Sequence, residues 1–475
     1  MIMDHPYDDF LNLFFSSNTT TAASTSSCVE HDDWSLDMDW DCDFRDLIDS
    51  MMSDEGATTE PPPMLPSHLG RQEGACNSAS TGLSTADDVE EPSYDESKGL
   101  RLVHLLVAAA EASAGAGKTH ELTRVLLARL KDLCSLNDQT NMEKLAAHFT
   151  NGLSKLLERE GPSHHDVHNQ TDVISALQML QNMSPYVNFG YLTTTQAILE
   201  AVKYERRVHI IDYDIAEGIQ WASLMQALVS RNSGPSAQHL RITALSRAKN
   251  GKKSVAAVQE AGRRLTAFAE SIGQPFSYHH CKLDTDEAFT SSSVKLVRGE
   301  AVVVNCMLHL PRFSHQTVPK SFISFLSEAK TLNPKLVTLV HEEVGMMGNQ
   351  GFLYKFMDLL HQFSAIFDSL EETSARGFVE RVFIGPWVSG WLTRITDVAD
   401  DEEVESFASW YRWLESNGFK PMNVSFANGC QAKLLLSLFK EGFRVDELGH
   451  NGLVLGWKSR RLVSASFWAS RESNM

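Results

Sequence analysis

Arg207-Val208-His209-Ile210-Ile211-Asp212 is a short, β-branched apolar run that ends on an acid. A run of this length and composition fits a strand buried on both faces, as in a parallel sheet. The pattern downstream repeats the theme. Helical spacing covers 219–230, 254–272, 318–330, 354–370, 404–417 and 431–439. Strand-like runs cover 239–245, 276–283, 301–308 and 336–341 between them. Two final strands, 443–448 and 453–457, are joined by His450-Asn451-Gly452, a hairpin link. Strand alternating with helix implies right-handed crossovers and a doubly wound, mostly parallel α/β sheet over 204–470. Upstream, 99–203 reads as helices alone: 100–111, 121–134, 141–158, 172–183 and 193–203, with Pro185 in the break between the last two.

Composition bounds the rest. Of 61 acidic and 42 basic residues, 22 and 3 lie in residues 1–98, so the whole net charge of −19 sits there and the remainder is neutral. A neutral globular part carries no general basic field for nucleic acid. The arm 1–98 has a Ser/Thr run, a proline cluster (Pro61, Pro62, Pro63, Pro66) and little to bury, the signature of disorder. Two segments stand out: Tyr7 to Phe15, and Trp34 to Met51, where aromatic and aliphatic residues sit among acids. Such segments suit either a docking arm that folds on a partner or a plain solubilising tail. Asp4, Asp8 and Asp9 near the start, without a base, have the wrong sign for a targeting peptide, which implies cytosol or nucleus. No run reaches the roughly 20 apolar residues of a membrane helix. Seven scattered cysteines (Cys28, Cys42, Cys76, Cys134, Cys281, Cys306, Cys430) form no C-x-x-C pair, against a disulfide framework or a zinc module.

A doubly wound sheet binds ligands at the carboxyl ends of its strands, beside the first turn. The architecture, closed by an antiparallel hairpin, resembles a class I methyltransferase core. A cofactor there needs glycines for close backbone approach. Here the turn reads Tyr213-Asp214-Ile215-Ala216-Glu217-Gly218, with one glycine and with bulk and negative charge at the other positions. G-x-G-x-x-G is missing after the strand. Gly115-Ala116-Gly117-Lys118-Thr119 lacks the first glycine of a P-loop, and no G-x-S-x-G elbow occurs. His164, His165 and His168 cluster without cysteine partners and read as solvated surface. No catalytic residue, cofactor or metal is expected, and the competing reading is a methyltransferase-like enzyme or ligand-binding protein using Asp212 and Asp214.

Val208-His209-Ile210-Ile211-Asp212, continued by Asp214, Gly218, Gln220, Trp221 and Leu224-Met225-Gln226-Ala227-Leu228, resembles the central motif of the plant GRAS family. Residues 99–203 and 283–330 are similar to its two leucine-rich regions. Pro334, 336–343, Phe352, Tyr354-Lys355-Phe356 and 364–371 resemble its PFYRE segment. Leu455-Gly456-Trp457-Lys458 and Ser466-Phe467-Trp468 resemble its terminal SAW segment, with Phe467 in place of alanine. The Arg-Glu pair of PFYRE is not evident, Glu380-Arg381 standing near its place. The arm lacks a DELLA sequence. Cys306 to Pro311 and the acidic start look closest to the nodulation signalling branch. The resemblance implies a nuclear, non-enzymatic regulator of symbiosis genes (nodulation or mycorrhization) and of strigolactone synthesis. It also implies a heteromer with another GRAS protein, or a second copy, that brings in promoter DNA.

The residues support structural as well as functional roles. Leu102, Leu105, Leu106, Ala109, Ala110 and Glu111 lie on a helix too apolar to stand exposed; they pack inward or meet the GRAS partner. Leu153 to Leu157 fits the same L-x-x-L-L spacing and reads as internal packing. Val208, Ile210 and Ile211 read as core and His209 as a satisfied core histidine. Asp212 would cap the turn or orient Gln220 and Trp221. Basic pairs at Arg206-Arg207, Lys252-Lys253, Arg263-Arg264 and Arg460-Arg461 would be solvated surface or a phosphate-facing patch. No DNA-recognition motif is present, so DNA contact is expected through the partner.

Overall fold

A computed structural model describes residues 94–114, 120–134, 140–158, 170–230, 238–247, 251–283, 289–308, 320–344, 351–397 and 407–470. Of the arm expected over 1–98, only 94–98 fall among them. They open helix α1 (Tyr94–Ala114), five residues before the expected start at Gly99. The segments 115–119 and 159–169, with the Gly-Lys-Thr and histidine stretches, lie outside the described residues.

The described residues up to 203 are helical, as their spacing predicts. α2 (His120–Leu133), α3 (Asn141–Glu158), α4 (Gln170–Met183) and α5 (Pro185–Ala201) follow α1. Pro185 does not extend a break. It is the first residue of α5, where its missing N–H costs nothing. The Ser184 hydroxyl before it accepts from the Tyr186 N–H at 3.3 Å.

The sheet follows: β1 (Arg207–Asp212), β2 (His239–Arg247), β3 (Phe276–Leu283), β4 (Ala301–Met307) and β5 (Leu336–Glu342). All pair in parallel in the order 3-2-1-4-5, with Asp212 level with Ala244 and Asn305. The order reverses at β1, so a crevice site is expected between β1 and β4. Four crossover or flanking helices are α6 (Ile219–Val229), α7 (Gly251–Ile272), α8 (Lys320–Thr331) and α9 (Phe352–Ser369).

The carboxyl-terminal part departs from the expectation. A helix unforeseen in the sequence runs through 376–397: α10 (Arg376–Val379), a π-turn at Glu380–Ile384, and α11 (Gly385–Asp397). Gly377, Gly385, Pro386 and Gly390 hide its period, and the π-turn shifts the phase of its apolar face. α12 (Phe407–Ser416), a short β6 (Phe419–Pro421) and α13 (Phe426–Leu436) lead to β7 (Phe443–Leu448) and β8 (Gly452–Trp457). β7 and β8 form the expected hairpin, but it does not abut β5. A further strand, β9 (Arg460–Ser470), lies between, antiparallel to both β5 and β8. Its Ser464, Ala465 and Ser466 have weak strand propensity, which concealed it.

Apolar residues alternate between two layers. Val208, Ile210, Ile242 and Val303 face α5, α6 and the helical cap. Ile211, Val302, Val304 and Leu339 face α8 and α12, with Phe322, Phe325 and Trp410. Helices therefore cover both faces of one sheet, the doubly wound arrangement.

Candidate functional site

The carboxyl end of β1 is a sealed polar knot. Asp212 is fully buried. Its Oδ2 accepts from Trp221 Nε1 at 2.7 Å, and its Oδ1 accepts from the Asp214 N–H at 3.2 Å and Asn305 Nδ2 at 3.3 Å. Asn305 Oδ1 in turn accepts from Thr338 Oγ1 at 2.8 Å. One chain of hydrogen bonds thus ties β1, β4, β5 and the start of α6 together. Burial pushes the Asp212 carboxyl up to about 7, while the hydrogen bonds from Trp221 and Asn305 pull the other way. The sequence marks Asn305 only within Val304-Asn305-Cys306 of the second leucine-rich resemblance, and gives neither it nor Thr338 a role at Asp212. The signal for Asn305 was present, a lone amide in an otherwise apolar strand.

His209, one residue before Ile210, faces the opposite layer. It has no exposure, and its Nε2 lies 2.7 Å from Thr243 Oγ1 while its Nδ1 takes the Arg241 guanidinium at 3.0 Å. Arg241 also pairs with Glu300 and donates to the Lys295 carbonyl at 2.6 Å. Burial first, then the Arg241 charge, lowers the His209 pKa to about 3. It is a neutral core histidine.

A methyltransferase-like core implies adenosylmethionine at the turn after β1, and the residues there do not fit it. Tyr213 packs into the opposite layer, its ring edge-on to Phe322 at 4.7 Å and tilted against Phe325 at 4.8 Å. Ile215 is buried and its carbonyl accepts from the Gly218 N–H at 2.8 Å, closing the turn on itself. Glu217 pairs with Arg264 at 2.5 Å. Gly218 has φ of 70°, and a Cβ there would meet Leu265 at 3.1 Å. The one glycine of the turn serves close packing of α6 against Leu265 of α7, and bulky or charged side chains stand at the other positions, where a cofactor needs open backbone. Gln220 is buried beside Trp221.

The two distal tryptophans are also anchors. Trp457 Nε1 donates to Asp368 Oδ2 at 2.7 Å, and Lys458 reaches the same oxygen at 2.9 Å. Trp468 is wholly buried, its Nε1 on Ser466 Oγ at 3.0 Å and its ring 5.0 Å from Tyr411. An Arg–Glu pair absent as neighbours in sequence exists in space. Buried Arg376 bonds Glu380 Oε1 at 2.8 Å and Asn141 Oδ1 at 2.6 Å, clamping α10 to α3.

The GRAS domain family matches residues 102–469, which span the helical cap and the sheet. The chain belongs to the GRAS domain family. Scarecrow-like protein 26 of Arabidopsis thaliana is 76% identical over 99% of this chain and 100% of its own length. The NODULATION SIGNALING PATHWAY 2 proteins of Medicago truncatula and Lotus japonicus are 56% and 49% identical. They cover 80% and 99% of this chain and 78% and 100% of their own. The crystal structure of SCL7 from Oryza sativa aligns with a TM-score of 0.59 at 28% identity, over 77% of this chain and 99% of that one. GRAS proteins are regulators rather than enzymes, and the likeness to a methyltransferase core is one of architecture.

The partner face expected on the first GRAS helix is mostly internal. Leu102, Leu106, Ala109 and Ala110 have no exposure and pack into the core where α1 meets α2, α3 and α9. Leu105 is half-buried and Glu111 exposed, so those two alone of the six are open to a partner. The stripe was drawn inward because four leucine and alanine side chains on one helix face fit the groove between neighbouring helices better than water. Leu153 of the second L-x-x-L-L is likewise buried. Of the basic pairs, Arg264 and Arg460 are held by Glu217 and Asp358 at 2.5 Å each, whereas Arg206 and Arg207 stay exposed.

Proposed function

We propose that this GRAS protein is a nuclear transcriptional regulator of symbiosis genes (nodulation or mycorrhization) and of strigolactone synthesis. It acts in a heteromer with another GRAS protein that contacts promoter DNA. The observation that carries the reading is its identity to the two nodulation signalling proteins over most of both chains. The filled turn after β1 supports a role without chemistry. The exposed side of α1, with Leu105 and Glu111, is the surface offered to the partner within the helical region.

The test is light scattering of the full chain alone and mixed with a second, DNA-contacting GRAS protein, followed by a DNA shift on the fractions. A stable mixed species that shifts DNA, with no shift by this chain alone, is the expected result. A chain that ignores the partner and shifts specific DNA alone overturns the heteromer reading.

A further inference from the structure

Among the described residues, the two most exposed large apolar side chains lie near the end of α5 and the start of α13. Phe426 is 89% exposed and Tyr204 77%. Phe426 follows Ser425, whose hydroxyl bonds Glu200 Oε1 at 2.7 Å, so it stands beside the last turn of α5. Tyr204 lies just beyond that turn. One helical turn on from Phe426 comes exposed Cys430, then exposed Leu434 and Leu438. An i, i+4, i+8 stripe of this kind on an outward helix face is uncommon on a soluble domain and marks a docking surface. Lys203, Arg206 and Arg207, chain neighbours of Tyr204, are exposed, and so is Lys433 on α13 between Cys430 and Leu434. The apolar side chains are thus flanked along the chain by bases.

The chain itself carries the complementary segment. In Leu36-Asp37-Met38-Asp39-Trp40-Asp41-Cys42-Asp43-Phe44 apolar residues alternate strictly with aspartates. Extended, such a segment has one apolar and one acidic edge. It ends 50 residues before Tyr94, where α1 begins. A random coil of that length would have an r.m.s. span of about 40 Å, comparable with the diameter of the domain it must cross. Tethering gives an effective concentration on the order of millimolar, so weak contacts suffice.

We propose that residues 36–44 of this chain's own acidic arm dock on the face formed by Tyr204, Phe426, Cys430 and Leu434. Asp37, Asp39, Asp41 and Asp43 then lie along Lys203, Arg206, Arg207 and Lys433. Docking withholds the acidic-aromatic arm from other proteins until a partner takes over one of the two surfaces.

Native cysteines provide the test. Cys42 lies in the docking segment and exposed Cys430 in the middle of the face. Cys28 and Cys76, elsewhere on the arm, report what the tether alone allows. The full chain, dilute and reduced, is treated with a short bismaleimide, and the linked peptides of the monomer are quantified by mass spectrometry. The expected result is a Cys42–Cys430 link about tenfold above Cys28–Cys430 and Cys76–Cys430. It should fall to their level in Tyr204→Ser/Phe426→Ser and, independently, in a variant with the four aspartates changed to asparagine. The proposal is overturned if Cys42 links no better than the other two or if its preference survives both variants. It is also overturned if the link forms only between two molecules as concentration rises.

Discussion

Asp212 shows how one side chain can hold a fold and still strain against it. Three donors converge on its carboxylate, yet burial raises its pKa from 3.8 to about 7. The folded chain therefore keeps a proton that the unfolded chain has lost. The stabilisation from that proton is fully present below pH 4 and is lost as pH rises to about 7. His209 runs the other way. Its pKa is lowered from 6.5 to about 3, so its contribution is present above pH 6.5 and is lost as pH falls. In Asp212→Asn the carboxyl's contribution is removed, while the histidine slopes, those of His209 and His361 among them, remain between pH 4 and 6.5. Urea midpoints against pH should show the variant gaining on the parent as pH rises toward 7. A constant difference between the two curves would mean that Asp212 is ionised throughout. Asp212→Ala strands Trp221 Nε1 and Asn305 Nδ2 in the core and should cost about 2 to 4 kcal/mol in urea unfolding at neutral pH. Because the knot touches four elements, lost regulatory activity in that variant would report on folding before it reported on contact.

At the scale of elements, α1 and the β1–α6 turn make separable predictions. Leu106→Ala removes a fully buried side chain from the helical cap. It should destabilise by about 2 to 5 kcal/mol. Leu105→Glu on the half-buried side should change stability by less than about 1 kcal/mol while weakening co-elution with a GRAS partner. Equal loss of partner from both, at temperatures where both are folded, would place the interface elsewhere. Gly218 caps α6 with a left-handed φ of 70°. Gly218→Ala meets both the strained backbone and Leu265, and should cost about 1 to 3 kcal/mol in thermal or urea unfolding. Gly218→Asn should cost less than Gly218→Ala if backbone strain dominates, because asparagine tolerates this region better. The reverse order would assign the penalty to Leu265.

Over the whole molecule, closure depends on the last strand. β9 fills the gap between the parallel sheet and the hairpin, and β6 pairs along it as well. Its side chains reach far across the sequence. Ser464 Oγ donates to Glu343 Oε1 at 2.5 Å and lies 3.0 Å from His341 Nε2, and Arg460 bonds Gln362 Oε1 at 2.7 Å. A chain ending at 459 would strip β5, β6 and β8 of their partner strand and orphan these groups. It should lose its near-ultraviolet circular dichroism and its sharp unfolding transition. A truncated chain that still unfolds cooperatively would show that the five parallel strands and the cap fold without this closure.

The strands β1, β4 and β5 and the helical character of the described residues between 99 and 203 were legible in the sequence because unbroken β-branched runs and apolar periods report burial directly. So was the scarcity of glycines in the turn after β1, where Gly218 stands alone. Less was legible where the local signal is weak or belongs to another part of the chain. Ser464, Ala465 and Ser466 become a central strand because β5 and β8 supply its hydrogen bonds, and Arg376 becomes a buried clamp because Glu380 and Asn141 converge on it. The leucines of α1 face inward because α2, α3 and α9 arrive there. A sequence encodes its own propensities residue by residue, and it thereby determined the doubly wound core. Which of two apolar faces is buried, and which polar groups meet, depends on neighbours distant in the chain, and only the tertiary structure decides them.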